Sequence, residues 1–100
     1  MTQARLNEQP RRVLDIHGAF IRRTDLSGAS LRGANLAGAD AANAMFRGAD
    51  FAGASLRGTN LRGADLSGAK NLTIEQLSEA IIDGSTILPD YLDRASFNLS

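Results

Sequence analysis

One hundred residues with no cysteine and no net charge bound a single small domain without disulfides or thiol chemistry. No apolar run approaches the roughly 18 residues of a membrane-spanning helix, and the opening MTQARLNEQPRR lacks the apolar stretch of a secretory signal. Acidic and basic side chains balance at 11 each, which removes the basic excess of a phosphate-backbone binder and leaves a cytoplasmic protein as the expectation.

Residues 1–13 form an N-terminal edge or cap segment, basic through Arg5, Arg11 and Arg12 against Glu8. From Leu14 to Gly68 the chain then repeats every five residues, in units such as TDLSG, ASLRG, ANLAG, ADFAG, TNLRG and ADLSG. That period fits neither an α-helix nor a flat strand. A short fixed period points to a solenoid, in which each unit buries its apolar face against its neighbours. The central positions are all apolar: Ile16, Ile21, Leu26, Leu31, Leu36, Ala41, Phe46, Phe51, Leu56, Leu61 and Leu66. The unit-opening positions are small, Ala or Thr from Ala19 to Ala64. A row of large residues beside a row of small ones fits a narrow, close-packed interior. Glycine closes the units except at Arg23 and Asn43, and suits corners that need unusual dihedrals.

The pattern A(D/N)LXX over these eleven consecutive units resembles the pentapeptide-repeat family. The resemblance implies an all-β solenoid: a right-handed quadrilateral β-helix of about three coils over residues 14–71, with twenty residues per coil and a C-terminal capping α-helix. In that register Leu26, Phe46 and Leu66 share one inner column, as do Ile16, Leu36 and Leu56. Phe46 and Phe51 then sit beside Ala41, which conserves interior volume. On the outside, Arg22–Ala42–Arg62 and Asp25–Met45–Asp65 separate like charges that would otherwise be superposed at about 4.8 Å.

After Gly68 the period breaks, with Asn71 in the central position. LTIEQLSEAIIDG switches to helical spacing, and Thr73 with Gln76 makes a capping box. The spacing predicts a helix near 73–83, with Leu77 and Ile81 facing the last coil, inside a helical cap over 72–90. Family members end in a similar NLT-x-x-QL segment. Residues 91–100 form a tail, whose Ala95-Ser96-Phe97 is read as a chance match to the repeat, with an arm packing on the body or on a second subunit as the alternative.

Motifs for chemistry are missing. His17 is the single histidine and points outward, so no metal site is expected. Asp15, Asp25, Asp40, Asp50 and Asp65 occupy the solvated second position of the repeat and are not read as paired catalytic carboxylates. The expectation is a bacterial, non-catalytic protein-interaction or scaffold module without a cofactor, acting on a protein partner or pairing as a homodimer. Its candidate interaction surface is Phe20, Arg22, Arg23 and Arg62, an outward aromatic with arginines, although Asp40 lies in its middle. Direct nucleic-acid binding is disfavoured. The alternative implied by the family is a DNA mimic that inhibits or protects DNA gyrase or another topoisomerase. The chain departs from that pattern, because its repeats hold about as many arginines as aspartates and three coils span only roughly 15 Å.

Overall fold

The structure, a computed structural model, describes residues 13–97. The expected N-terminal cap over 1–13 therefore lies outside the described residues except for Val13.

Each five-residue unit makes the same backbone bonds. The central N–H reaches forward, as Ile16 donates to the Asn35 carbonyl at 2.9 Å and Leu36 to that of Ser55 at 3.0 Å. The second N–H reaches back, as Asn35 donates to the Leu14 carbonyl at 2.8 Å. The result is a set of parallel bridges twenty residues apart: Asp15 to Asn35 to Ser55, and Phe20 to Asp40 to Asn60. Bridges from Asp15, Phe20, Asp25 and Ser30 join one twenty-residue level, 14–33, to the next, 34–53. The register read from the repeat is thus the register of the ladder. Pairing is confined to single bridges and not to long strands, because a corner takes the last two residues of every unit.

The corners close locally. Ala19 N–H donates to the Ile16 carbonyl at 3.1 Å, with Gly18 between them at φ 69°. A positive φ at this position is what a type II turn requires. Arg23, Asn43 and Asn71 adopt the same left-handed conformation without being glycine, at φ 58°, 60° and 60°. The second-position side chain braces the corner as well. Asp25 Oδ1 accepts the Ser27 N–H at 3.0 Å, and Asn35 Oδ1 accepts that of Ala37 at 3.0 Å. Asp and Asn recur at this position because they make that bond to the backbone two residues on.

Burial follows the repeat. Leu36, Ala41, Phe46, Phe51, Leu56, Leu61 and Leu66 are fully buried, with the opening alanines beside them. The Phe46 and Phe51 rings pack at 5.4 Å between centroids, tilted by 58°, within the range that aromatic pairs favour. Thr59 takes an opening position without leaving a polar atom stranded, since its hydroxyl donates to the Leu36 carbonyl at 2.7 Å. Ile16, Ile21 and Leu26, on the first level, are only partly buried.

Beyond Gly68 the structure departs from the expected helix over 73–83. Helix α1 spans only Ile74–Ser78, with Thr73 and Gln76 forming the capping box and Leu77 buried. Ile81 does not face inward. It bridges to Asn60, exchanges backbone bonds with Thr59 and Leu61 at 2.8 Å, and stays 38% exposed. Ile87 does the same beside Asp65. The reason is the ladder: the N–H groups of Gly58, Leu61 and Leu66 need acceptors, and Glu79, Ile81 and Ile87 supply them. Extended pairing therefore displaces the helix after one turn. Leu72, and not Asn71, takes the buried place, with Asn71 as the left-handed corner. In the tail, Ala95 and Ser96 lie in a 3-10 turn over Arg94–Ser96, and Phe97 packs against the core.

Candidate functional site

The four residues of the candidate surface derive their positions from the ladder. Phe20 is a second-position residue on the first level, bridged to Asp40 and 87% exposed. Arg22 lies at the next corner. Its Nε donates to Asp40 Oδ2 at 2.7 Å, and this guanidinium holds the Asp40 carboxyl below the ordinary carboxylate range. Arg23 follows at φ 58°, exposed. Arg62 is two levels away in the column Arg22–Ala42–Arg62, exposed, with Ala42 buried between. All four therefore lie along one side of the ladder. Phe20, Arg22 and Arg23 share one level and Arg62 stands apart, at about twice the 4.8 Å spacing between levels.

Asp40 divides the surface and also explains the repeat charges. The pair Arg22–Asp40 recurs as Arg32–Asp50 at 2.9 Å and Arg47–Asp65 at 3.4 Å, always eighteen residues apart. In each, Oδ2 takes the arginine, and Oδ1 of Asp40, Asp50 and Asp65 takes a backbone N–H two residues on. Asn71, then Arg32, lower the Asp50 carboxyl to about 2. These aspartates are structural groups with compensated charge. The eighteen-residue step from Arg to Asp was readable in the sequence, as a fourth position paired with a second position one level on, but the twenty-residue columns alone do not reveal it.

His17 sits in an exposed pair with Asp15, Nδ1 to Oδ1 at 2.7 Å. Hydrogen bonding to Asp15 raises the His17 pKa, and the same bond lowers that of Asp15. Among the described residues, no group of three His, Cys, Asp or Glu side chains is placed to hold a metal ion. No helix among them is long and apolar enough to cross a membrane.

Three residues finish the last level through side-chain bonds that the sequence reading did not include. Gln76 Nε2 donates to the carbonyls of Phe51 and Ala54 at 2.8 and 3.0 Å. The Tyr91 hydroxyl donates to the Ala69 carbonyl at 2.6 Å and accepts the Leu72 N–H at 3.1 Å. The Arg94 guanidinium donates to the carbonyls of Thr86 and Asp83, both at 2.9 Å. Each gives a side-chain partner to backbone groups at the end of the ladder.

The twenty-residue ladder with its A(D/N)LXX units decides the classification. The sequence profile described as "Pentapeptide repeats (8 copies)" matches residues 15–44 and 34–70. This chain belongs to the pentapeptide-repeat family. Among solved structures it is similar to a pentapeptide repeat protein of the cyanobacterium Cyanothece, with 29% identity and a TM-score of 0.68 over 77% of this chain and 52% of that one. It is also similar to a thylakoid-lumen pentapeptide repeat protein of Arabidopsis thaliana, with 31% identity and a TM-score of 0.59 over 80% and 63%. A third similar structure is HetL of Nostoc, a pentapeptide repeat protein involved in heterocyst differentiation regulation, with 27% identity and a TM-score of 0.50 over 77% and 46%. The chain spans between half and two thirds of the first two proteins. No curated protein sequence matches it significantly. Family membership implies the right-handed quadrilateral β-helix.

Proposed function

We propose that this pentapeptide-repeat chain is a non-catalytic protein-interaction module: a β-helix of about three coils over 14–71, finished by a cap over 72–90. The observation that carries the reading is Phe20. A phenylalanine 87% exposed on a rigid ladder, next to Arg22 and Arg23, has the composition enriched at interface hot spots. Gln76 from the cap, with Tyr91 and Arg94 from the tail, supports a closed end, because all three bond backbone groups there. A cytoplasmic location in a bacterium is part of the proposal and does not follow from membership, since one similar protein is a plant lumenal one. The test is capture from the native cell by the tagged chain. A specific protein held by the wild type and lost with Phe20→Ser or Arg62→Glu supports the module. Equal capture by all variants removes this surface from it.

The DNA-mimic alternative needs free acidic groups to stand in for phosphates. Asp40, Asp50 and Asp65 already face Arg22, Arg32 and Arg47, which argues for the interaction module. Gyrase supercoiling titrated with the purified chain separates the two. Inhibition abolished by Asp25→Asn, Asp50→Asn and Asp65→Asn together would replace the module with mimicry.

A further inference from the structure

Among the described residues, the exposed large apolar side chains are unevenly placed. Val13, Leu14 and Phe20 lie at the start of the ladder, Ile74, Ile81, Ile87 and Tyr91 lie beyond the repeats, and only Met45 is between them. Among the described residues, Phe20 and Ile81 are moreover the two ends of one column: Phe20, Asp40, Asn60 and Ile81 are linked bridge by bridge. The interior of that column is polar and both its ends are apolar. Stacking one copy on another in the ladder direction would bring the Phe20 of one beside the Ile81 of the next.

The neighbouring corner column has the same logic in charge. It begins at Arg23, passes Asn43 and Gly63, and ends at Asp83, whose Oδ1 accepts the Gly63 N–H at 3.4 Å. Asp83 uses Oδ1 for its bonds to Ser85 and Thr86 as well. Its Oδ2 holds no partner among the described residues, whereas Asp40, Asp50 and Asp65 each give Oδ2 to an arginine. After the repeats, Glu75, Glu79, Asp83, Asp90 and Asp93 outnumber Lys70 and Arg94.

We propose that copies of this chain associate head to tail, the first level of one docking against the last level of the next. The inference deepens the interaction-module reading by naming a second copy as an occupant of the Phe20 surface. Tail-to-tail docking would oppose acidic ends, and head-to-head docking would leave Asp83 unmatched. Only head-to-tail docking pairs Phe20 with Ile81 and Arg23 with Asp83. Such a contact is heterologous, so it does not close at a dimer.

The test is sedimentation velocity of the full chain over a concentration series. The expected result is a weight-average mass that climbs beyond a dimer with concentration and falls as salt is added. Phe20→Ser destroys the head and Ile81→Ser the tail, so each variant alone should be monomeric. Mixed, they keep one intact junction and should form a dimer and nothing larger. Arg23→Asp should likewise abolish association, and Asp83→Arg in the partner should restore it. Circular dichroism and melting confirm that each variant is folded; if Ile81→Ser is not, the Arg23→Asp and Asp83→Arg pair decides alone. Monomer mass at every concentration overturns the proposal, as does a closed dimer that tolerates Phe20→Ser. A monomer that still captures a different protein through Phe20 would leave the interaction module standing without self-association.

Discussion

Arg22 and Asp40 lie one level apart, with Nε 2.7 Å from Oδ2, and their eighteen-residue step is repeated by Arg32–Asp50 and Arg47–Asp65. One level less two positions sets the step: the arginine takes the fourth position of its unit, and the aspartate takes the second position of the equivalent unit one level on. The pairs are largely exposed on the arginine side, so each contributes little on its own. Their effect is to let acidic and basic groups stack along a ladder whose levels are too close to tolerate like charges in contact.

Core and surface should therefore respond very differently at adjacent positions. Phe46 is fully buried and packs on Phe51, whereas Arg47 is exposed. Phe46→Ala should destabilise by about 3–5 kcal/mol. Arg47→Ala, which loses only an exposed pair, should cost under about 0.5 kcal/mol. Thermal or urea unfolding of the two variants measures this, and similar losses at both positions would contradict the register.

The repeat was legible because its period, its apolar centres and its small openings agree. Leu36, Ala41, Phe46 and Phe51 occupy the interior as their positions in the unit require. The segment after Gly68 was legible only to its capping box. Helical spacing through Ile81 competes there with the unpaired N–H groups of Gly58, Leu61 and Leu66, and a five-residue window cannot show those groups. The long-range bonds of Gln76, Tyr91 and Arg94 were invisible for a similar reason, since each acts on a backbone group eight or more residues away. On the candidate surface, exposure of Phe20 followed from its place in the unit, but the twenty-residue columns did not show the eighteen-residue step that commits Arg22 to Asp40.

Corner strain gives the second prediction. Arg23 holds φ 58° where most units have glycine, and a left-handed non-glycine residue costs roughly 1–2 kcal/mol. Arg23→Gly should raise stability by up to about 1 kcal/mol, part of the relief being offset by a more flexible unfolded chain. Gly63→Ala should do the reverse and cost about 1–2 kcal/mol. It places a Cβ at φ 71° against the Asn43 side chain. Melting temperatures that move the other way would remove strain from the account of these corners.

The Tyr91 hydroxyl gives the third. It serves both the Ala69 carbonyl and the Leu72 N–H, and Leu72 is buried. Tyr91→Phe keeps the ring and strands both groups, so it should cost about 1–3 kcal/mol. Hydrogen exchange should report faster exchange at Leu72 and little change at Phe46. A variant as stable as the wild type would mean that water replaces the hydroxyl without loss, and that residues 91–97 do not help to finish the ladder.

The last prediction is the pH profile. The carboxyls of Asp15, Asp25, Asp40, Asp50, Asp65 and Asp83 are all held below their ordinary value of 3.8. A lowered folded pKa means that the folded state gives up its proton more readily than the unfolded one. The stabilisation is therefore fully present above 3.8 and is lost as pH falls through the folded values, reaching about 2 for Asp50. His17 works in the opposite direction. Its pKa is raised above 6.5 by Asp15, so its contribution is complete below 6.5 and disappears as pH rises through the raised value. Unfolding midpoints should thus be highest between these limits, fall steeply toward acid, and decline slightly on the alkaline side. Asp50→Asn keeps an acceptor for the corner and for Asn71 but loses the charge facing Arg32. It should flatten the acid limb between about 4 and 2. His17→Gln should flatten the shallow alkaline decline and leave the position of the acid limb nearly unchanged. An acid limb that is identical in wild type and Asp50→Asn would show that the second-position aspartates hold the ladder through hydrogen bonds that protonation does not weaken.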